Sequence, residues 1–145
     1  MAQINPYLNF NGDCEAAFKF CRSIFGGDFQ QLSRYKEMPG SESRPAMETD
    51  GELIMHVSLP ISRETTLMGS DVAGEWAQHM VTGNNIQLSI NADSQEEAER
   101  LFKLLGEGGH VKMPMEKTFW DAYFGMLTDK FGISWMVNYD LNQQG

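Results

Sequence analysis

Ile86-Gln87-Leu88-Ser89-Ile90-Asn91-Ala92-Asp93-Ser94-Gln95-Glu96-Glu97-Ala98 is the stretch that decides how this chain is read. Ile86, Leu88 and Ile90 alternate with Gln87, Ser89 and Asn91, the period of a strand buried on one face only. Ser94, followed three residues later by Glu97, is a capping box, so a helix opens there. Ala98, Leu101, Phe102 and Leu105 then fall on one stripe, and Gly106, Gly108 and Gly109 end it. Residues 111–115, 122–127 and 134–139 read as three more strands, the last two joined by a turn over 129–132.

The same order occurs at the start of the chain. Residues 4–10 suit a strand, and Asn11-Gly12-Asp13 is a turn signal, with Asp13 placed to cap a helix and Glu15 in its first turn. Cys14, Ala17, Phe18, Cys21, Ile24 and Phe25 share a helical face, which Gly26-Gly27 closes. Strands over 29–35, 53–59 and 65–70 follow, the first two separated by a Pro-, Gly- and Ser-rich loop at 38–51. Leu8 and Leu88, Phe10 and Ile90, and Asp13 and Asp93 each lie 80 positions apart. A strand, a capped helix, a glycine stop and three strands therefore occur twice. The expectation is a single α+β domain over 1–145: a βαβββ module at 1–71, a crossing segment at 72–85 and a second module at 86–145. Each such unit covers one sheet face with its helix and leaves the other bare. Two units placed edge to edge predict a half-open, barrel-like cup, the kind of concavity that takes a small-molecule ligand.

Composition bounds the partners. The chain has 145 residues, 41% hydrophobic and 21% charged, with a formal net charge of −9. That charge disfavours nucleic acid and anionic membranes, both of which reward clustered Lys and Arg. No stretch approaches the roughly 18 apolar residues of a membrane span. Residues 1–10 show neither a basic region nor an apolar one of a secretion signal. Cys14 and Cys21, seven apart on one helix, lie roughly 10 Å from each other, beyond the roughly 7 Å reach of a disulfide. Reduced cysteines and a cytoplasmic location are expected.

Tyr7-Leu8-Asn9-Phe10-Asn11-Gly12 before Glu15-Ala16, then Leu67-Met68-Gly69-Ser70-Asp71, and above all Thr118-Phe119-Trp120 through Thr128-Asp129-Lys130-Phe131-Gly132-Ile133-Ser134-Trp135-Met136-Val137-Asn138, resemble the PhnB-like branch of the vicinal oxygen chelate superfamily. That superfamily includes glyoxalase I, bleomycin-resistance proteins and extradiol dioxygenases. The resemblance covers nearly the whole chain and implies a homodimer. The branch has often been labelled a demethylubiquinone methyltransferase. A methyltransferase of the usual kind holds its cofactor on a doubly wound sheet with a Gly-rich first turn. The first turn here is Asn11-Gly12-Asp13, so methyl transfer is rejected.

Metal-using members of the superfamily place ligands at four inward positions, which fall here near Pro6, Met68, Asn85 and Met136. None is a good ligand for a divalent metal, and no metal or other cofactor is expected. On the strand at 53–59, alternation puts Leu53, Met55, Val57 and Leu59 under the helix, and His56 with Ser58 on the bare face. His56 is the candidate acid/base or ligand contact, against the plainer reading of a hydrogen-bonded core histidine. His79 and His110 read as solvated. Met68, Ser70, Met136 and Asn138 share the bare faces by the same analogy. Trp76, Trp120 and Tyr123 are candidate cavity walls, Trp120 alternatively packing across a dimer. Most of the late aromatics, Phe119, Phe124, Phe131 and Trp135 among them, read as core. Glu48, Glu52 and Asp71 read as solvated, and the cysteines as small hydrophobes. The expected function is metal-free binding of a small apolar or aromatic molecule. The alternative is a lyase or isomerase of glyoxalase type, using a divalent metal or His56.

Overall fold

The computed structural model describes residues 2–37 and 51–143. Its elements run β1 (Tyr7–Phe10), α1 (Cys14–Phe25), β2 (Gln31–Arg34), β3 (Ile54–Pro60), β4 (Thr66–Asp71), β5 (Leu88–Asn91), α2 (Gln95–Gly106), β6 (His110–Lys117), β7 (Ala122–Thr128) and β8 (Ser134–Asp140). The strands form two four-stranded sheets, ordered β1-β4-β3-β2 and β5-β8-β7-β6. In each sheet the first strand pairs parallel to the last, and the remaining pairs are antiparallel. The fold is α+β with a duplicated βαβββ module. Internal contacts divide the chain into two compact units, Met1–Val81 and Thr82–Gly145, so the crossing segment 72–85 is shared between them. The predicted loop at 38–51 lies outside the described residues, apart from Gly51.

In module 1 the stripe Cys14, Ala17, Phe18, Cys21 and Ile24 of α1 is buried, together with Phe10, Val57, Leu59 and Leu67 of the sheet. Phe18 lies over Gly69, where an added Cβ would fall 2.6 Å from its ring and 2.7 Å from the Leu8 carbonyl oxygen. In module 2, Ala98, Leu101 and Leu105 are buried with Leu127, Trp135 and Val137. Phe102 of α2 lies over Gly125 in the same manner.

The sequence mispredicts several local features. Ile54, not Met55, is buried, because a register shift between Ser33 and Arg34 changes the phase of β3 at its start. β5 begins at Leu88 and leaves Ile86 exposed. Phe119 is 95% exposed rather than core. Asp13 occupies the N-cap of α1, but its side chain makes no capping bond. The cap comes instead from Asp71, read in sequence as solvated. This carboxylate is buried, its Oδ1 accepting from the N–H groups of Gly12 (2.9 Å) and Cys14 (3.0 Å), and its Oδ2 from Ile54 N–H (2.9 Å). The Tyr35 hydroxyl donates to the Asp71 carbonyl at 2.7 Å. In α2 the Ser94 half of the expected box forms, Glu97 N–H donating to Ser94 Oγ at 3.0 Å, while the Glu97 side chain reaches one residue further back and accepts from Asp93 N–H at 3.1 Å.

One further group fixes each module. Arg34 of β2 grips Glu15 of α1 with two nitrogens, at 3.1 and 2.8 Å, and donates to the Glu52 carbonyl at 2.7 Å. The Arg34 guanidinium, with Lys19 beside it, holds the Glu15 carboxyl below its usual range. In module 2, buried Asp129 accepts from Phe131 N–H (2.9 Å), Ile133 N–H (3.0 Å) and the Trp135 indole (2.8 Å). The most distinctive block of the sequence, 128–138, is thus chiefly a turn and a core strand.

Candidate functional site: the helix-free sheet faces

Because strand side chains alternate, each sheet turns a second set of residues away from its helix. In module 1, Tyr7 neighbours Met68, and Met68 neighbours Ser58; alongside them Asn9 neighbours Ser70, and Ser33 neighbours His56. The face is rich in hydroxyl, amide and imidazole groups. The Tyr7 hydroxyl lies 3.3 Å from His56 Nδ1, the two rings 5.7 Å apart and tilted. With Nδ1 unprotonated the phenol donates, which orients the ring. The Ser70 hydroxyl donates to Asn9 Oδ1 at 3.4 Å. Ser58 and Ser70 are buried, while His56 and Met68 are half-buried. Four of the sequence-selected residues, His56, Ser58, Met68 and Ser70, therefore share one face. Tyr7 and Asn9 belong with them but are missed in sequence, since their partners lie on β3 and β4, 49 and 61 residues away.

The module 2 face has different chemistry. Ser89 neighbours Met136, which neighbours Met126, which in turn neighbours Met113. Beside this methionine row, Asn91 neighbours Asn138, and Phe124 stands between Asn138 and Glu116. Asn138 Nδ2 donates to Asn91 Oδ1 at 3.2 Å. Trp120 meets the Phe124 ring edge-on at 6.0 Å and Phe119 at 4.9 Å. The turn that displays Phe119 and Trp120 contains Asp121 at φ 62°, the one non-glycine residue with a positive φ among the described residues. Aspartate tolerates that conformation better than most residues.

Two selected residues stand apart. Tyr123 lies on the helix side, its hydroxyl donating to Glu99 Oε1 of α2 at 3.0 Å, and burial with that carboxylate raises its pKa. Trp76 sits on a 3-10 turn, Gly74–His79, outside the strand rows and largely exposed. His79 and His110 are exposed. Both cysteines are buried free thiols, and burial, with Asp71 nearby, pushes the Cys14 thiol far above its ordinary range. It cannot serve as a thiolate nucleophile.

The superfamily's metal fits poorly on these residues. Met68 and Met136 offer only thioethers, soft donors ill suited to hard divalent ions. Among the described residues no three His, Cys, Asp or Glu side chains gather as a ligand set. No helix among them is long and apolar enough to cross a membrane.

Two β-α-β-β-β modules with helix-free sheet faces define the architecture of the vicinal oxygen chelate superfamily. A glyoxalase/bleomycin resistance protein/dioxygenase family enzyme from Burkholderia phytofirmans PsJN has the same fold, at 18% identity and a TM-score of 0.62 over 97% of this chain and all (100%) of that one. Within that class the chain belongs to the family described as 3-demethylubiquinone-9 3-methyltransferase, whose model matches residues 2–138. It is similar to protein PA1353 from Pseudomonas aeruginosa, with 39% identity and a TM-score of 0.81 over 97% of this chain and 98% of that one. It is also 29% identical to Escherichia coli (strain K12) protein YjdN over 141 residues, 93% of each chain.

Proposed function

We propose that this protein binds a small apolar or aromatic molecule on the helix-free sheet faces of its modules, as a cytoplasmic homodimer and without a bound metal. The observation that carries this reading is the occupancy of those faces. His56, Ser58, Met68 and Ser70 line one, and Met136, Asn138, Met126 and Phe124 the other. Thioethers and rings adapt to irregular apolar ligands, and the hydroxyl, amide and imidazole groups orient them. Trp120 stands at the rim of the module 2 face; Tyr123, turned toward α2, is left out of the ligand set. Methyl transfer is not part of this reading, because neither mixed sheet offers the Gly-rich strand-to-helix turn that a nucleotide-type cofactor uses.

The test is elemental analysis of the purified protein followed by thermal denaturation against a panel of aromatic compounds. Less than about 0.1 equivalent of Zn, Ni, Mn or Fe is expected, together with a midpoint that rises with selected aromatics, since a ligand selective for the native state stabilises it. Stoichiometric metal that survives dialysis would overturn the metal-free part. No shift across the panel would overturn ligand binding.

A second reading is supported by the Tyr7–His56 contact, which orients one imidazole on the module 1 face. There His56 acts as general acid/base in a lyase or isomerase reaction. His56→Asn then folds normally and abolishes turnover; unchanged turnover or ligand affinity returns His56 to a structural role.

A further inference from the structure

Three hydrogen bonds on the module 1 face share a consequence. The Tyr7 hydroxyl meets His56 Nδ1 at 3.3 Å, Ser70 Oγ donates to Asn9 Oδ1 at 3.4 Å, and Gln31 Nε2 donates to Ser33 Oγ at 3.4 Å. Gln31 belongs to this face because it neighbours Ser58, as Ser33 neighbours His56. Each bond occupies an acceptor and leaves a donor on the same side chain: His56 Nε2–H, the Asn9 amide N–H groups and the Ser33 O–H. For His56 this follows from the phenol, since the bond made at one ring nitrogen sets which nitrogen carries the proton. The imidazole is half-buried, and Nε2 is not among the buried atoms that lack a partner, so it is open to a ligand.

The strand positions around His56 bring no charge. Among the described residues of this face there is no carboxylate, ammonium or guanidinium, and Arg34 of β2 turns to Glu15 on the helix side. An anion would find no opposite charge there to pair with, and it would approach a protein of net charge −9. A neutral acceptor meets neither cost. We propose that the module 1 face binds the carbonyl oxygen of a neutral aromatic ketone or aldehyde through His56 Nε2–H, with Tyr7 as the positioning residue that holds the imidazole in its donor form. This rests on the reading of the helix-free faces as ligand surfaces and narrows its ligand class. The carbonyl accepts the proton-bearing edge of the ring, and an isosteric group that cannot accept leaves that donor unused.

The experiment is equilibrium dialysis of 2-acetylnaphthalene and 2-isopropenylnaphthalene against the whole protein, His56→Leu and Tyr7→Phe. The probes share a ring system and a shape, the second carrying C=CH2 where the first has C=O. The measured quantity is the affinity for the ketone relative to that for the alkene. His56→Leu is expected to lower it about 3- to 10-fold, the range of one neutral hydrogen bond, with alkene affinity unchanged. Tyr7→Phe is expected to lower it by a smaller factor, again at constant alkene affinity. It should also move the His56 nitrogen-15 resonances, which in the wild type should show Nδ1 without a proton. That spectrum decides the matter even where His56→Leu does not fold. An unchanged ratio in His56→Leu, or a protonated Nδ1 in the wild type, would overturn the carbonyl assignment while leaving the ligand surface intact. So would an equal loss of affinity for both probes in the variants, which would mark a structural role. Failure of the wild type to bind either probe would remove the ligand surface itself, and this inference with it.

Discussion

Module 1 fastens the start of α1 with a carboxylate from β4, Asp71, 59 and 57 residues beyond the two helix-entry N–H groups it binds. Module 2 fastens the start of α2 locally, through Ser94 and Glu97. The same topology is thus secured by a tertiary contact in one copy and by neighbouring residues in the other. The faces diverge as well, one offering hydroxyls, amides and an imidazole, the other methionines and aromatic rings. Duplication keeps the backbone plan and frees the side chains that do not hold it.

That contrast can be broken most severely at Asp71. Asp71→Ala strands three N–H groups, those of Cys14 and Ile54 buried and that of Gly12 part-buried, and should cost about 3–5 kcal/mol in denaturant unfolding, with Asp71→Asn costing less. A loss below about 1 kcal/mol would show that α1 is held another way. The glycines come next. At Gly69 a methyl group meets backbone at 2.7 Å, whereas at Gly125 the closest atoms are the Met115 sulfur and the Phe102 ring, both at 2.8 Å and both side-chain. Gly69→Ala should therefore destabilise by about 2–4 kcal/mol, an overpacking cost, and Gly125→Ala by roughly half as much. Equal losses would mean that β4 yields as readily as Met115.

Capping gives a smaller effect with a clear direction. Ser94→Ala should cost about 1 kcal/mol, while Asp13→Ala, whose carboxylate makes no capping bond, should change stability by less than about 0.5 kcal/mol. The smallest effect is electrostatic. Arg34, with Lys19 beside it, depresses the Glu15 carboxyl in the folded state, so this contribution is present above the ordinary value of 4.5 and is lost as pH falls through the lower folded value. The pair is partly exposed, which limits it to less than about 1 kcal/mol. Unfolding curves between pH 6 and 3 should be shallower in Arg34→Met than in the wild type; identical slopes would remove the pair from the acid response.

Periodicity made most of this architecture legible. The alternation of Leu88 and Ile90, the stripes of both helices and the glycine stops are local signals, and each marks an element that forms. The local signals fail where a distant group intervenes. Asp13 looks like a cap because nothing nearby reveals that Asp71 displaces it. Met55 looks buried because the register shift opposite Ser33 and Arg34 is a property of the pair, not of β3 alone. On the faces, a period of two correctly groups His56 with Ser58 and Met136 with Asn138. It could not show that Tyr7 reaches His56 across β4, since that contact depends on tertiary placement. Tyr123 looks like a cavity wall because it lies close to Trp120 in sequence, although its alternation with Phe124 puts it on the other side of the strand.

The parallel pairing of each opening strand with the closing strand of its module sets an order of events during synthesis. β1 can find β4, its one sheet neighbour among the described residues, once residues 66–71 have left the ribosome, and until then its N–H and C=O groups have no ladder to join. Closing so long a span before any reward slows folding. Module 1 can nonetheless complete its own sheet while β5 to β8 are still unmade. The second copy then repeats the same wait, β5 gaining its partner only when β8, residues 134–140, has been made.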